Sequence, residues 1–181
     1  MNSELLTLTS TFVISTVASV VLTMAVRRMA PRVGAVATPK ADRWHRSVIP
    51  LLGGVAVWGG VTAALLFRLD AFPGRDLLSL YIVASLLFMV GLVDDFFALK
   101  PGTKLTAQIA AACVALIILP SGSWTIGPPG VGVLLMIVWI VGITNAFNLL
   151  DNMDGVCAGV AVIAAASYAL TMSADFPEGS V

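Results

Sequence analysis

Two short polar stretches carry the side chains of this sequence that could do chemistry. The first holds the adjacent carboxylates Asp94 and Asp95. The second places an amide or a carboxylate at every third position, namely Asn145, Asn148, Asp151 and Asp154. Neighbouring carboxylates repel each other, and a proton or a divalent cation relieves the repulsion. Oxygen ligands of this kind suit Mg²⁺, which usually also binds substrate phosphates. The alternative for the acid pair is that it merely caps a helix end in water.

Both stretches lie where a long apolar segment ends. Because about 20 apolar residues span a bilayer, we predict six membrane helices, at about 5–26, 51–67, 77–95, 104–120, 130–150 and 155–173. The predicted fold is therefore an all-α, polytopic transmembrane helix bundle that forms a single domain over residues 1–181. Acids in such surroundings are costly unless they are hydrated, paired or bound to a cation.

The composition is that of a membrane protein. Hydrophobic residues make up 59% of the chain and charged residues 11%, whereas a soluble domain has roughly 25% charged residues. The net charge is zero, so no nucleic-acid partner is expected. Cys113 and Cys157 lie in apolar runs without the spacing of a metal site, and we predict that both are small core residues.

The basic residues predict the orientation of the helices. In a six-helix topology, Arg27, Arg28, Arg32, Lys40, Arg43, Arg46, Lys100 and Lys104 share one side, whereas only Arg68 and Arg75 lie on the other. Cytoplasmic loops of membrane proteins carry such an excess of lysine and arginine. Both termini are therefore predicted outside, and both polar stretches on the cytoplasmic face.

The predicted cytoplasmic loop 31–50 contains three prolines, which exclude a single helix. It carries Arg43, His45 and Arg46. The loop is either a solvated stretch with Trp44 at the membrane interface, or a cationic patch that binds lipid phosphate or a sugar nucleotide.

Lys104 and Gln108 are four residues apart, so they share one face of the predicted fourth helix. Lys104 could neutralise phosphate oxygens, or it could simply anchor the helix end at the membrane surface.

The second polar stretch does not fit one face of a straight helix. A step of three residues drifts by about 60° on a helix of 3.6 residues per turn. The helix is therefore expected either to unwind near Asp151 or to end clear of the lipid. Gly155 would permit the turn into the sixth helix. The pairs Gly53-Gly54 and Gly59-Gly60, and the Gly155–Gly159 spacing, predict close helix packing.

Three motifs together resemble those of the polyprenyl-phosphate N-acetylhexosamine-1-phosphate transferases, a family of integral-membrane enzymes. The segment Gly91–Asp95, followed by Lys104-Leu105 and Gln108, is similar to the family's GxxDD…KLxxQ motif. The segment Asn145–Gly155 is similar to NxxNxxDxxDG, although Asn152 stands where many members have glycine. The loop with Arg43, His45, Pro50 and Gly53-Gly54 is similar to the RxxH…P…GG motif.

The resemblance implies transfer of a sugar 1-phosphate from a UDP-N-acetylhexosamine to undecaprenyl phosphate, with release of UMP, in cell-envelope polysaccharide biosynthesis. It implies a multi-pass protein of the inner (plasma) membrane with its active face in the cytoplasm, and Mg²⁺ or Mn²⁺ as cofactor. The implied catalytic residues are Asp94, Asp95, Asp151 and Asp154, of which Asp94, Asp95 and Asp151 would also bind the metal. The implied substrate-binding residues are Asn145, Asn148, Lys104, Gln108, Arg43, His45 and Arg46.

Length is the main departure from the family, whose members usually have ten or eleven helices. The chain is therefore expected to be an incomplete, N-terminal part of such an enzyme. One alternative is a non-catalytic membrane fragment or partner subunit, and another is part of a cation-coupled transporter, which would need acids near mid-membrane. A homo-oligomer is compatible with the sequence. The sugar, the pathway and the choice between direct and covalent transfer stay open.

Overall fold

The computed structural model describes residues 2–37, 49–68, 74–119, 128, 130–151 and 155–175. They contain the helices α1 (Asn2–Met29), α2 (Gly53–Phe67), α3 (Gly74–Phe97), α4 (Pro101–Ile118), α5 (Val131–Leu150) and α6 (Val156–Asp175). The only strands in this described part are β1 (Val36–Ala37) and β2 (Ile49–Pro50), which pair antiparallel. The predicted all-α bundle is confirmed, with helices close to the six predicted positions.

Within the part of the chain that the structure describes, four helices have the length and apolar character needed to cross a membrane. Their candidate spans are Leu6–Met29, Leu77–Phe97, Pro101–Ile118 and Val131–Leu150. The apolar parts of α2 and α6, Gly53–Phe67 and Val156–Thr171, are shorter. Large apolar side chains such as Phe12 and Trp139 are exposed, as expected for helices that face lipid. The chain is therefore a multi-pass membrane protein.

The chain divides into two compact units, residues 1–133 and residues 134–181. In the first unit, α1 packs against α2 through small residues. A Cβ atom on Gly60 would overlap the Ser19 side chain and lie 2.9 Å from the Ser15 carbonyl oxygen, and one on Gly59 would overlap Leu22. The predicted close packing is thus confirmed for this glycine pair: at Gly60 the Ser15 backbone leaves no room for a Cβ, whereas at Gly59 the Leu22 side chain would have to move.

Helices α2 and α3 are joined by an aromatic and hydroxyl cluster. The Trp58 ring stacks on Phe88, with ring centroids 5.2 Å apart, and on Tyr81, at 5.9 Å. Trp58 Nε1 donates a hydrogen bond to Ser85 Oγ (3.2 Å), and the hydroxyls of Thr62 and Tyr81 bond each other (2.7 Å). Each of these polar side-chain groups thus has a hydrogen-bond partner, as a position between membrane helices requires.

Strands β1 and β2 pair with each other near the two ends of the segment that connects α1 and α2. Val36 pairs with Pro50 and Ala37 with Ile49, and the Leu51 amide donates to the Ala35 carbonyl (2.9 Å). The described ends of this loop are not helical, as its prolines predict. Arg43, His45 and Arg46 lie outside the described residues, so their predicted roles stay predictions.

Only three residues separate α3 from α4, and one face of α4 is buried. Its buried residues follow helical spacing and are Gln108, Ala111, Ala112 and Ala115. Pro101 begins the helix, where its missing N–H is no loss. Cys113 is exposed on α4, so the prediction of a core position is wrong for it. A small apolar side chain is tolerated on a helix surface that faces lipid.

The second unit contains most of α5 and all of α6. Helix α5 ends at Leu150, and the Asp151 amide makes a last helical hydrogen bond to the Phe147 carbonyl (3.0 Å). Gly155 adopts the left-handed conformation, φ +78°, immediately before α6. The helix therefore ends where the sequence predicts, with glycine at the turn. A Cβ on Gly159 would meet nothing within 4 Å among the described residues, so the packing predicted for the Gly155–Gly159 spacing is not seen there.

Candidate functional site

Asp94 and Asp95 both lie in the last turn of α3, and Asp94 connects this turn to α4. One oxygen of its carboxylate, Oδ2, accepts a hydrogen bond from Lys104 Nζ at 2.7 Å. The other, Oδ1, accepts one from the Leu99 backbone N–H at 3.0 Å. The side chains of Asp94 and Lys104 are 23% and 17% exposed. The two residues therefore form a largely buried ion pair across the α3–α4 connection.

The local backbone explains why Asp94 meets these partners. Ala98 has φ +46°, in the left-handed region, and its N–H makes a helical hydrogen bond to the Asp94 carbonyl (2.8 Å). At a helix end of this type, the next N–H usually returns to a main-chain carbonyl. Here the Leu99 N–H instead binds the Asp94 side chain. The Asp94 carboxylate thus replaces a main-chain acceptor for this N–H. Lys104, in the first turn of α4, donates to the same carboxylate.

Lys104 and Gln108 lie on the same face of α4, as predicted. Lys104 is partly buried against Asp94, so it is an ion-pair partner and not merely an anchor at the membrane surface. Gln108 is 1% exposed and is the largest fully buried side chain among the described residues. Its position makes it part of the buried face of α4. The substrate-binding roles predicted for both residues stay predictions.

Asp95 lies in different surroundings from its neighbour. Consecutive residues of an α-helix point about 100° apart, and Asp95 is exposed on α3. The two acids therefore differ in what they can do. The Asp94 carboxylate is partly buried between the Leu99 N–H and Lys104, whereas Asp95 is exposed.

The second polar stretch lies at the end of α5. Asn145 and Asn148 are exposed on the last turns of the helix, and Asp151 is exposed just beyond its end. The Asn145 side-chain amide donates to the Val141 carbonyl of its own helix (2.8 Å). Asp154 lies outside the described residues. Taken singly, neither unit groups three or more carboxylate, imidazole or thiol side chains into a metal cage within its described residues.

Sequence reasoning did not find the Asp94–Lys104 pair or the left-handed Ala98. One signal for the pair was present. Asp94 and Lys104 carry opposite charges and lie on either side of a short segment before Pro101. A proline in this context begins a helix. The left-handed Ala98 had no signal, because glycine is the residue expected there.

The model of the family described as "Glycosyl transferase family 4" matches residues 77–179, which is more than half of the 181 residues. The match includes Asp94, Asp95, Lys104, Gln108 and the whole second polar stretch. No solved structure matches the chain significantly.

Three curated proteins illustrate the relatives. A Bacillus subtilis (strain 168) protein named "Probable undecaprenyl-phosphate N-acetylglucosaminyl 1-phosphate transferase" is 27% identical, covering 94% of this chain and 49% of its own length. The Yersinia pestis "Undecaprenyl-phosphate alpha-N-acetylglucosaminyl 1-phosphate transferase" is 32% identical, covering 88% and 46%. The Mycolicibacterium smegmatis "Decaprenyl-phosphate N-acetylglucosaminephosphotransferase" is 33% identical, covering 77% and 39%. The chain thus spans about half the length of the curated relatives it matches, or less.

Proposed function

Because the chain belongs to glycosyl transferase family 4, we propose that it takes part in transferring an N-acetylhexosamine 1-phosphate from a UDP-sugar to undecaprenyl phosphate. The names of its relatives supply the acceptor and the transferred group. The observation that carries the proposal is the end of α3, where the exposed Asp95 adjoins the Asp94–Lys104 pair within the family match. An acid within a membrane-spanning helix favours a functional site, and both aspartates lie in the candidate span Leu77–Phe97.

The proposed reaction is a phosphoryl transfer. An oxygen of the lipid phosphate attacks the β-phosphorus of the UDP-sugar and forms a new P–O bond. The bond between that phosphorus and the oxygen bridging to the α-phosphorus breaks, and UMP leaves with this oxygen. Since the second pKa of a phosphate monoester is about 6, the acceptor is mostly ionised at neutral pH. The protein's main task would therefore be to position the phosphates and to balance their charge.

Mg²⁺ fits the donors at the end of α3. It is usually held by one or two carboxylates, with substrate phosphates and water completing its shell, so an exposed Asp95 needs no cage of three acids. When bound, Mg²⁺ would neutralise charge on the diphosphate and on the leaving UMP. Asp95 would hold the ion, and Lys104 would contribute positive charge beside the phosphates.

The remaining predicted residues would bind the nucleotide sugar and the diphosphate. Asn148 and Asp151 are exposed at the end of α5, and their amide and carboxylate oxygens suit sugar hydroxyls or a hydrated metal. For Asp154, Arg43, His45 and Arg46 the support is motif similarity alone. The distribution of basic residues supports a cytoplasmic active face in the plasma membrane.

A transfer assay with metal control tests this proposal. The purified chain in detergent receives undecaprenyl phosphate, UDP-GlcNAc labelled in the sugar, and Mg²⁺. We expect lipid-linked label and an equal amount of UMP, both lost with EDTA and restored by excess Mg²⁺. Asp95→Asn should abolish both products, and Asp175→Asn, at the end of α6 and outside the motifs, is the matched control. A folded wild-type chain that forms neither product would contradict catalysis by this chain.

A further inference from the structure

We propose that the end of α1 and the turn that follows it bind the headgroups of anionic phospholipids. The surface is built from three basic and two apolar side chains, and we call it the juxtamembrane patch: Arg27, Arg28, Met29, Arg32 and Val33. It lies in a different part of the chain from the acids at the ends of α3 and α5. The inference therefore does not depend on the proposed function.

The turn after α1 continues the helical path before it closes. The amides of Ala30 and Val33 bond the carbonyls four residues earlier, at 2.8 and 3.2 Å. Gly34 then adopts the left-handed conformation, φ +73°. The Ala35 amide bonds the Ala30 carbonyl at 2.9 Å, and the Gly34 amide bonds the Pro31 carbonyl at 3.4 Å. This is the Schellman pattern of a helix end, so the backbone of the turn is fixed.

The back of this turn is buried and its front is open. Ala30 and Ala35 are 0% and 2% exposed, and the Leu51 amide bonds the Ala35 carbonyl from the segment before α2. In contrast, Met29 and Val33 are 57% and 64% exposed, and all three arginines are exposed. The juxtamembrane patch therefore holds charged and apolar side chains at the surface of a fixed backbone.

The juxtamembrane patch lies at the level of the lipid headgroups. The candidate membrane span of α1 ends at Met29, so Arg28 is at the end of the span and Arg32 just beyond it. The rise between these two arginines on a helical path is about 6 Å. A bilayer of about 40–45 Å has a hydrocarbon core of about 30 Å, which leaves a polar layer of about 5–7 Å on each side. Both arginines thus fit within one headgroup layer.

The spacing separates the charged side chains of the patch from the apolar ones. Arg28 and Arg32 are four residues apart and share one face of the helical path. Met29 and Val33 share the neighbouring face in the same way. A guanidinium group forms paired hydrogen bonds with phosphate oxygens, and an apolar side chain beside it reaches the edge of the acyl chains. A phospholipid offers both partners together, whereas free phosphate offers only the first.

The charge of the patch favours an anionic lipid over a zwitterionic one. Within the described ranges of the chain, none of its three arginines forms an ion pair. Each basic residue beside a membrane helix strengthens the attraction to an anionic surface about fivefold. The helix dipole and the topology of insertion explain why basic residues occur here. Neither of them predicts a preference between lipids that differ in headgroup charge.

Native mass spectrometry of the full 181-residue chain, released from detergent, measures lipid binding directly. The chain is titrated with phosphatidylglycerol or with phosphatidylcholine of the same acyl chains. We expect the wild type to bind phosphatidylglycerol about tenfold more tightly, and Arg28→Gln combined with Arg32→Gln to remove most of this preference. The matched control, Arg68→Gln with Lys100→Gln, removes two charges at the end of α2 and before α4. It should keep the preference.

Three further measurements separate the charged from the apolar contribution. Met29→Ser combined with Val33→Ser should weaken the binding of both lipids alike, because it removes contacts with acyl chains. Glycerol 1-phosphate, which has a phosphate but no acyl chains, should not compete at the concentration of the lipid. Raising the ammonium acetate from about 0.1 M to about 1 M shortens the Debye length from about 10 Å to about 3 Å, and should reduce the preference for phosphatidylglycerol.

Equal binding of the two lipids by the wild type would overturn the proposal, as would a preference that the control variant loses as fully as the arginine variant. Competition by glycerol 1-phosphate would identify a site for soluble phosphate instead of a lipid surface. Circular dichroism checks that each variant is folded. If the double arginine variant is not folded, Arg28→Gln and Arg32→Gln are measured singly, and an unchanged preference in both would contradict the proposal. Sugar transfer does not enter these measurements, so they decide on the lipid surface even if the proposed function fails.

Discussion

The ends of α3 and α5 both carry acids, but the two helices hold them differently. At the end of α3, Asp94 reaches forward to Leu99 and Lys104 and is part of the packing of its unit. At the end of α5, Asn145 bonds back to its own helix and Asp151 is exposed beyond it. A polar motif in a membrane protein can thus include residues that hold helices together beside residues that are exposed at the surface. Substitutions should distinguish these two kinds of residue by their effects on stability and on transfer.

After Asp95→Asn, which should abolish transfer, the largest effect is expected for transfer at the end of α5. Asp151→Asn should lower the transfer rate by about 10²-fold or more, because in the proposed function this charge acts on the phosphates or their metal. The rate is measured as lipid-linked label per minute at saturating UDP-GlcNAc. Thermal unfolding of the same preparation provides the control and should be unchanged. A variant with full transfer activity would refute a chemical role for this exposed acid.

The comparison predicts a difference in stability between the two regions. Asp94→Ala should lower the free energy of unfolding by about 2 kcal/mol, since it removes two charge-assisted hydrogen bonds from a largely buried site. Asp151→Ala should change it by less than about 0.5 kcal/mol, as is usual for an exposed residue. Denaturant titration in detergent measures both. If the two losses were equal, Asp94 would not stabilise its unit as its contacts indicate.

A smaller difference in stability is expected between two alanine-to-glycine substitutions, one at Ala98 and one within α5. A residue other than glycine in the left-handed region is strained by about 1–2 kcal/mol, so Ala98→Gly should leave the stability unchanged or raise it by up to about 1 kcal/mol. The same change within α5, Ala146→Gly, should lower the stability by about 0.5–1 kcal/mol, because glycine is unfavourable inside a helix. Unfolding midpoints of the two variants check the sign. A clear loss in Ala98→Gly would mean that the connection is not strained at this residue.

The smallest effect is expected at Asn145. Its side chain bonds the Val141 carbonyl of the same helix and is exposed, so Asn145→Ala should shift the free energy of unfolding by no more than about 0.5 kcal/mol. Any larger effect should appear in the Michaelis constant for UDP-GlcNAc, because the predicted role of this residue is substrate binding. A large loss of stability with an unchanged Michaelis constant would assign it a structural role instead.

Hydropathy predicted the helices well, and the physical reason is simple. Long apolar runs in a membrane can satisfy their backbone only as helices, and Gly155 lies at the predicted turn into α6. The apolar segments likewise placed Asp95 and Asp151 at helix ends, away from the middle of the membrane. This position disfavours the transporter alternative, which needs acids near mid-membrane.

The difference in surroundings between Asp94 and Asp95 could not be predicted, because it depends on tertiary contacts. Which of two adjacent acids faces α4 is decided by the rotation of α3 and by the left-handed Ala98, and neither follows from composition or spacing. The burial of Gln108 likewise depends on which face of α4 packs inward. Close approach at Gly60 was predictable, since small residues in membrane helices regularly mark contacts, but its partner Ser19 was not.

The most direct test of the central claim is acceptor-dependent labelling by the purified chain. Radiolabelled UDP-GlcNAc and Mg²⁺ are added with and without undecaprenyl phosphate, for the wild type and for Asp95→Asn prepared in the same way. We predict label in the organic phase only for the wild type and only with the lipid phosphate present. Labelling by Asp95→Asn at the wild-type rate, or the absence of label from a wild-type chain shown to be folded, would contradict the function proposed for this site.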